Sequence, residues 1–229
     1  MYLCINKTNV LVTRSEENYL KAIYHLSNHG SISVSTNAIA DKMDTKASSV
    51  TDMIKKLADK NLVNYIKYQG VNLTEQGRLT AIKVIRKHRL WEVFLVNNLN
   101  FSWDEVHDVA EQLEHIRSEK LINELDAFLD FPSYDPHGDP IPDKYGNINK
   151  LNTVTLSTLK ENQQSELISV KDSSDDFLKY LNKRNIKIGD IIKVLNIEPY
   201  DKSIKIEINS QELIVSDSVA ENLYLKSII

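Results

Sequence analysis

Cysteine is almost absent from this chain. Cys4 is the single one among 229 residues. One thiol excludes an internal disulfide and every cysteine-rich zinc module. Long apolar runs are missing too. A bilayer span needs about 20 consecutive apolar residues, and no run here comes near that length. The opening "MYLCINKTNVLV" lacks the basic start and long apolar stretch of a signal peptide. These absences predict a cytoplasmic protein with no membrane partner. Proline is scarce and unevenly spread: four of the five fall in "FPSYDPHGDPIPDKYGN", residues 131–147. That stretch cannot be a helix interior and marks a rigid loop or a domain border.

What is present is ordinary in amount and uneven in placement. A 41% hydrophobic content over this length allows a real core and one or two domains, with a small third. The net charge of −4 hides an asymmetry. Residues 14–90 hold 13 Lys/Arg against 7 Asp/Glu, whereas the remainder holds 15 against 25. A basic head on an acidic body fits a polyanion-binding module joined to a part with another task. Chance clustering of surface charge is the plain alternative.

Hydrophobic periodicity then orders the chain. "SEENYLKAIYHLSNH" (15–29) reads as a helix capped by Ser15, with Tyr19, Leu20, Ile23, Tyr24 and Leu26 on one face. "STNAIADKM" (35–43) and "SSVTDMIKKLADKNL" (48–62) read as two short helices around a tight polar turn, a helix-turn-helix. "LVNYIKYQGVNLT" (62–74) alternates around Gly70 and reads as a β-hairpin, the wing. A long amphipathic helix follows from Glu75. "SWDEVHDVAEQLEHI" reads as a helix with a Ser102/Glu105 capping box, and "SEKLINELDAFL" as another capped by Ser118. These helices offer more apolar surface than one small bundle hides, which predicts a homodimer. After the proline-rich stretch, short β-rich runs and one helix-like piece, "DDFLKYLNKR", predict a small barrel.

The predicted fold is therefore mainly α with a β-rich tail, in three parts. Residues 1–74 are expected to form a winged helix-turn-helix domain, 75–147 a helical dimerisation domain that also carries the ligand-type residues taken up below, and 148–229 a C-terminal domain. In a helix-turn-helix the second helix enters the major groove, its first residues facing base edges. Here these are Thr45, Lys46, Ala47, Ser48, Ser49, Thr51 and Asp52. Lys55, Lys56, Lys67 and Arg78 would add phosphate contacts. A winged helix used for protein contacts alone is the competing reading. No Arg, Asn or Gln at the front of the helix announces a base code.

Ligand-type side chains gather on two helical segments. "RKHRLWE" sets His88 and Glu92 at i and i+4. "VHDVAEQLEHI" sets His107, Glu111, Glu114 and His115 on one helical face. Burying several ionisable groups together is costly without a cation or hydrogen bonds. Imidazole with carboxylate suits manganese, iron(II) or zinc. A solvated, charged face is the alternative. Enzymatic readings fit poorly: "EQLEH" has Glu111 where the inverted zinc-protease pattern needs His, and no pair of Glu-x-x-His motifs serves a di-iron site.

The winged helix, "RKHRLWEVFL", "VHDVAEQLEHI" and "PHGDPIP", in that order over about residues 15–145, resemble the diphtheria-toxin-repressor family of metal-dependent transcriptional regulators. The resemblance implies a homodimer that binds palindromic operator DNA when loaded with iron(II) or manganese(II) and represses metal-uptake genes. It implies an SH3-like, FeoA-type barrel for the tail. It assigns Glu111, Glu114 and His115 to a first metal site and His88, Glu92 and His107 to a second, with His137 and the neighbouring Asp135 as further ligands. Asp172, and Asp175 less directly, match positions where the third domain donates oxygens. Glu111 stands where iron-responsive members have Cys and manganese-responsive members Glu, which points to manganese(II), with iron(II) as the alternative. Asn18 departs from the usual Asp or Met of the first helix: it keeps a carbonyl oxygen but brings no charge. Lys21 stands where manganese-type members often have Glu, and removes charge as well. The rival expectation is a metal-independent winged-helix DNA-binding protein whose His/Glu cluster is structural.

Overall fold

The computed structural model describes residues 11–66, 69–149 and 152–227. The chain divides into two compact units, residues 1–86 and 87–229, each considered by itself.

The first unit begins with α1, Arg14–Leu26. Its cap is Thr13, not the expected Ser15. The Thr13 hydroxyl accepts from the Glu16 amide and the Glu16 carboxylate accepts from the Thr13 amide, closing a capping box that starts two residues before Ser15. Glu16 is itself buried and pairs with Lys60 at 2.7 Å, tying α1 to the end of the third helix. The helix stops at Leu26, short of the expected residue 29, because Asn28, His29 and Gly30 all take positive φ.

Helix α2, Thr36–Lys42, is capped by Ser35, and α3 spans Ala47–Asp59. Val50, Ile54 and Leu57 repeat at helical spacing on α3 and are fully buried. The polar turn between α2 and α3 is closed by Asp44 at φ 47°. Strands β1 (Val63–Ile66) and β2 (Gly70–Leu73) pair antiparallel as the wing. Val34 adds a bridge to Val71 on the other side. Gly70 sits under that bridge, where a Cβ would lie 2.7 Å from the Val34 carbonyl. The winged helix-turn-helix expected from the sequence is thus present.

Helix α4, Glu75–Leu99, carries the chain into the second unit. Helix α5 spans Val106–Leu113 and α6 Glu119–Phe128. Ser118 caps α6 as expected, accepting from the Leu121 amide. The Ser102/Glu105 pair forms only half a box: the Ser102 amide donates to Glu105, residues 103–105 turn, and α5 starts at Val106. Helix α5 also ends earlier than its pattern suggested. Glu114 is its C-cap and His115 lies beyond it.

The proline-rich loop is folded on itself. Asp135 Oδ1 accepts from the amides of His137 and Asp139, and Tyr134 bridges Pro140. The tail then forms strands β3 (Thr153–Thr155), β4 (Gln164–Val170), β5 (Ile191–Ile197), β6 (Ile204–Ile208), β7 (Gln211–Val215) and β8 (Leu223–Lys226). They make one antiparallel sheet in the order β3-β8-β4-β5-β6-β7, the β-rich, SH3-like region expected. Bulges in β4 at Leu167/Ser169 and in β5 at Val194/Asn196 bend it. Helix α7, Asp175–Asn182, packs Leu178 and Leu181 into the sheet's core, and a single-turn helix α8, Asp217–Ala220, precedes β8. Along β6, Ile204, Ile206 and Ile208 are buried while Lys205 and Glu207 are not, the period of two of a strand with one face in the core.

Candidate metal centre and nucleic-acid interface

Glu92 is the centre of the cluster. It projects from α4 one turn after His88, and both are buried. Its Oε1 lies 3.0 Å from His88 Nε2 and 3.4 Å from His107 Nδ1, and its Oε2 lies 3.7 Å from His137 Nδ1. Three imidazoles therefore surround one carboxylate. Among the described residues, two groups bring three ligand atoms within 4.8 Å of one another: His88, Glu92 and His107, and Glu92, Asp135 and His137. All five residues were expected as ligands.

Two of the three imidazoles, His88 and His137, are held by the other nitrogen. His88 Nδ1 lies 2.6 Å from Glu114 Oε2, so it donates to that carboxylate. His137 Nε2 lies 2.7 Å from the Trp103 carbonyl, an atom that only accepts, so Nε2 carries the proton. Both arrangements leave the second nitrogen, His88 Nε2 and His137 Nδ1, turned toward Glu92. A ligating histidine anchored in this way has its tautomer and ring orientation set in advance.

The electrostatics follow from this packing. Burial opposes ionisation of Glu92, but hydrogen bonds from His107, His137 and His88 outweigh it and hold its carboxyl well below the usual range. Burial also opposes the charged form of His137, yet the bond to Glu92 and the charges of Glu92 and Asp135 push it up to about 9. Asp135 is pushed up to about 7 by burial and by its neighbours Glu92 and Asp139. Arg89 answers those acids, with Nε 3.3 Å from Asp135 and a terminal nitrogen 2.8 Å from Asp139. Sequence reasoning passed over Arg89. Its signal was its place between two ligand-type residues, His88 and Glu92, on one helix: a base there implies an acid opposite.

The other expected ligands lie elsewhere. Glu111 and His115 belong to neither group. Glu114 is fully buried and bound to His88, with its second oxygen 3.6 Å from His115 Nε2. Asn18 lies on α1, and its Oδ1 is buried with no hydrogen-bond partner. Asp172 follows β4 and accepts from the Ser174 amide, next to the start of α7. Asp175 is exposed and pairs with Lys179 at 3.4 Å.

Thr45, Lys46, Ser48, Ser49, Lys55 and Lys56 line the exposed side of α3 and its entry turn. Thr51 is half-buried, and its hydroxyl proton goes to the Ala47 carbonyl. Lys55 approaches Asp52 at 3.5 Å on the open surface. Arg78 is engaged by Glu75 through two nitrogens, at 3.0 and 2.8 Å, so a phosphate would have to compete for it. Lys67 lies outside the described residues.

Residues 11–71 match the family described as "Iron dependent repressor, N-terminal DNA binding domain", and residues 74–143 match "Iron dependent repressor, metal binding and dimerisation domain". Residues 154–227 match the FeoA domain. The chain is 33% identical to a solved "Manganese-dependent transcriptional repressor complex with manganese", with a TM-score of 0.82 over 93% of this chain and 100% of that one. The chain belongs to the iron-dependent, or diphtheria-toxin, repressor family. A second family member of known structure, the manganese regulator SloR, is 37% identical over 95% of this chain and 100% of its own, with a TM-score of 0.74. The iron-dependent repressor IdeR of Mycobacterium tuberculosis is 36% identical over 134 residues, 58% of this chain. That match spans 57% of IdeR's length.

Proposed function

We propose that this family member is a metal-dependent transcriptional repressor. Loaded with manganese(II), or with iron(II) as the alternative, it binds palindromic operator DNA as a homodimer and controls metal-uptake genes. The observation that carries this reading is Glu92 surrounded by His88, His107 and His137, in a chain that also exposes the first turns of a helix-turn-helix recognition helix.

The donor set of imidazole and carboxylate without thiolate suits manganese(II) and iron(II). His88, Glu92, His107, Asp135 and His137 would hold one ion, with Asp172 and Asp175 as further candidate ligands; Glu111, Glu114 and His115 remain the candidates for a separate first site, with Asn18 as an additional candidate. Glu111 in place of a thiol, and the manganese in the names of two similar structures, favour manganese. A bound cation would supply positive charge beside Glu92, where His137, pushed up to about 9, supplies it in the stripped protein. Leu121, Phe128 and Phe131 are exposed on and just after α6, which supports a second copy of the chain as partner.

The proposed division of labour is residues 1–74 for DNA, 75–147 for metal and dimerisation, and 148–229 as the FeoA-type domain. The protein acts by binding rather than by catalysis. No helix of the described residues is long and apolar enough to cross a membrane, which agrees with work in the cytoplasm beside DNA.

The second reading, a metal-independent DNA binder, draws on one observation: Glu92 and Glu114 both pair directly with His88, at 3.0 and 2.6 Å. A fluorescence anisotropy titration separates the two. Duplexes enriched from a random pool are titrated with the full chain in manganese(II), in iron(II) under anaerobic conditions, and in chelator. The metal-dependent reading requires DNA affinity to fall at least tenfold in chelator. Equal affinity in all three would leave the metal-independent reading.

A further inference from the structure

The metal cluster and the β-rich tail meet at a residue that offers no ligand to either group. Trp103 lies in the turn before α5. Its carbonyl accepts from His137 Nε2 at 2.7 Å, and its ring lies over the His137 ring, with centroids 6.0 Å apart and planes 16° apart. Its indole Nε1–H donates to Asn182 Oδ1 at 2.7 Å. Asn182 is the last residue of α7, and its Nδ2 donates to Asp104 Oδ1 at 3.1 Å. The chemistry fixes this amide's orientation: an indole only donates and a carboxylate accepts, so oxygen faces Trp103 and nitrogen faces Asp104. Trp103 also packs against the tail's core, which includes Leu178 and Leu181.

An imidazole's ring torsion is soft and roughly two-fold. If His137 turned over, a C–H would replace Nδ1 on the Glu92 side. The Trp103 carbonyl opposes that turn, and Trp103 is in turn gripped by α7. We infer that Asn182 is a positioning residue of the metal site, acting through Trp103 to keep His137 Nδ1 aimed at Glu92. The tail thereby helps to set metal affinity through a side chain that never touches the ion. This rests on the metal reading of Glu92, Asp135 and His137.

The test uses the full chain, stripped with chelator and titrated calorimetrically with manganese(II) alone. Glu92→Gln first identifies the binding component that belongs to this site. Asn182→Ala changes an exposed residue, and Trp103→Phe keeps the stacked ring and the carbonyl, so both variants fold. Each is expected to weaken that component about fivefold, the effect of one hydrogen bond. The double variant is expected to lose no more than either single one, because the same bond is removed twice.

A component lost in Glu92→Gln but unchanged in both single variants would overturn the positioning role and leave the metal site standing. So would a lowered unfolding temperature with unaltered manganese affinity. Additive losses in the double variant would overturn the route through Trp103. If Glu92→Gln removes no component, the metal reading itself fails and this inference goes with it.

Discussion

His88 Nδ1 and Glu114 Oε2 meet at 2.6 Å, and Glu114 is fully buried. The contact joins two residues that the family resemblance assigned to different metal sites. His88 turns its other nitrogen to Glu92, so Glu114 orients a residue of the Glu92 cluster without belonging to it.

Glu114→Gln keeps the shape and removes the charge that holds His88. Loss of an orienting carboxylate behind a ligating histidine typically costs 10–100-fold in metal affinity. The expected result is a manganese affinity at the Glu92 site reduced by about tenfold. Calorimetry on the chelator-stripped variant checks it, and an affinity within twofold of the parent would refute the link.

Metal uptake should depend on pH through two groups. A ligating histidine must be neutral and a ligating carboxylate ionised. His137 is held up to about 9 and Asp135 up to about 7. Both are protonated in the stripped protein at pH 6, so manganese binding there releases protons, and apparent affinity rises from pH 6 toward pH 9. Stability of the stripped protein should move the other way. Both folded values lie above the unfolded ones, so their contribution is present in full below the unfolded values and is lost as pH rises through about 7 and then about 9. Calorimetry in buffers of different ionisation enthalpy, with thermal unfolding in chelator, measures both trends.

Much of this was legible in the sequence. Helical spacing alone set His88 beside Glu92, and alternation around Gly70 gave β1 and β2. What was missed has physical reasons. Thr13 and Ser15 are both capping residues, and only Glu16 lying three residues after Thr13 decides between them. The apolar and acidic pattern of 106–116 continues past Leu113, but the chain leaves the helix there, and Glu114 reaches His88 from a cap. The Trp103–Asn182 bond spans 79 residues and has no local signature at all.

The Thr13 cap gives a stability prediction for the first unit. Thr13→Ala removes the acceptor for the Glu16 amide, which should cost about 1 kcal/mol. Glu16→Gln should cost more, because Lys60 loses its buried partner. Burial raises the Glu16 pKa, but Lys60 and the Thr13 amide outweigh it and set it below 4.5. Its contribution is therefore present above the unfolded value and lost as pH falls through the lowered folded one. Urea unfolding at pH 7 and pH 4 should show the gap between parent and Glu16→Gln narrowing in acid.

Gly138 joins the metal loop to the sheet. Its φ is 82°, and a Cβ there would lie 1.9 Å from the Ile168 carbonyl, while the neighbouring His137 carbonyl accepts from the Val170 amide. Gly138→Ala must therefore displace backbone, at a cost of about 2 kcal/mol or more. Because His137 precedes it, manganese affinity should fall together with thermal stability. A stable variant with parent affinity would show that the loop does not need this approach.

On α3, charge and hydroxyl contacts are expected to separate cleanly. Lys56 is exposed and carries no sequence information, so Lys56→Ala should weaken binding of every duplex alike and make the plot of log affinity against log salt shallower by about one. Ser48 and Ser49 stand exposed in the first turn of the recognition helix, where hydroxyls reach base edges. Ser48→Ala and Ser49→Ala should leave the salt slope unchanged and alter the preference among duplexes, by about 1–3 kcal/mol for a base contact that is lost. Anisotropy titrations in manganese(II) at several salt concentrations distinguish the two behaviours. If Lys56→Ala changed the sequence preference and the serine variants changed only the slope, α3 would lie on the DNA in a different orientation from the one its helix-turn-helix implies.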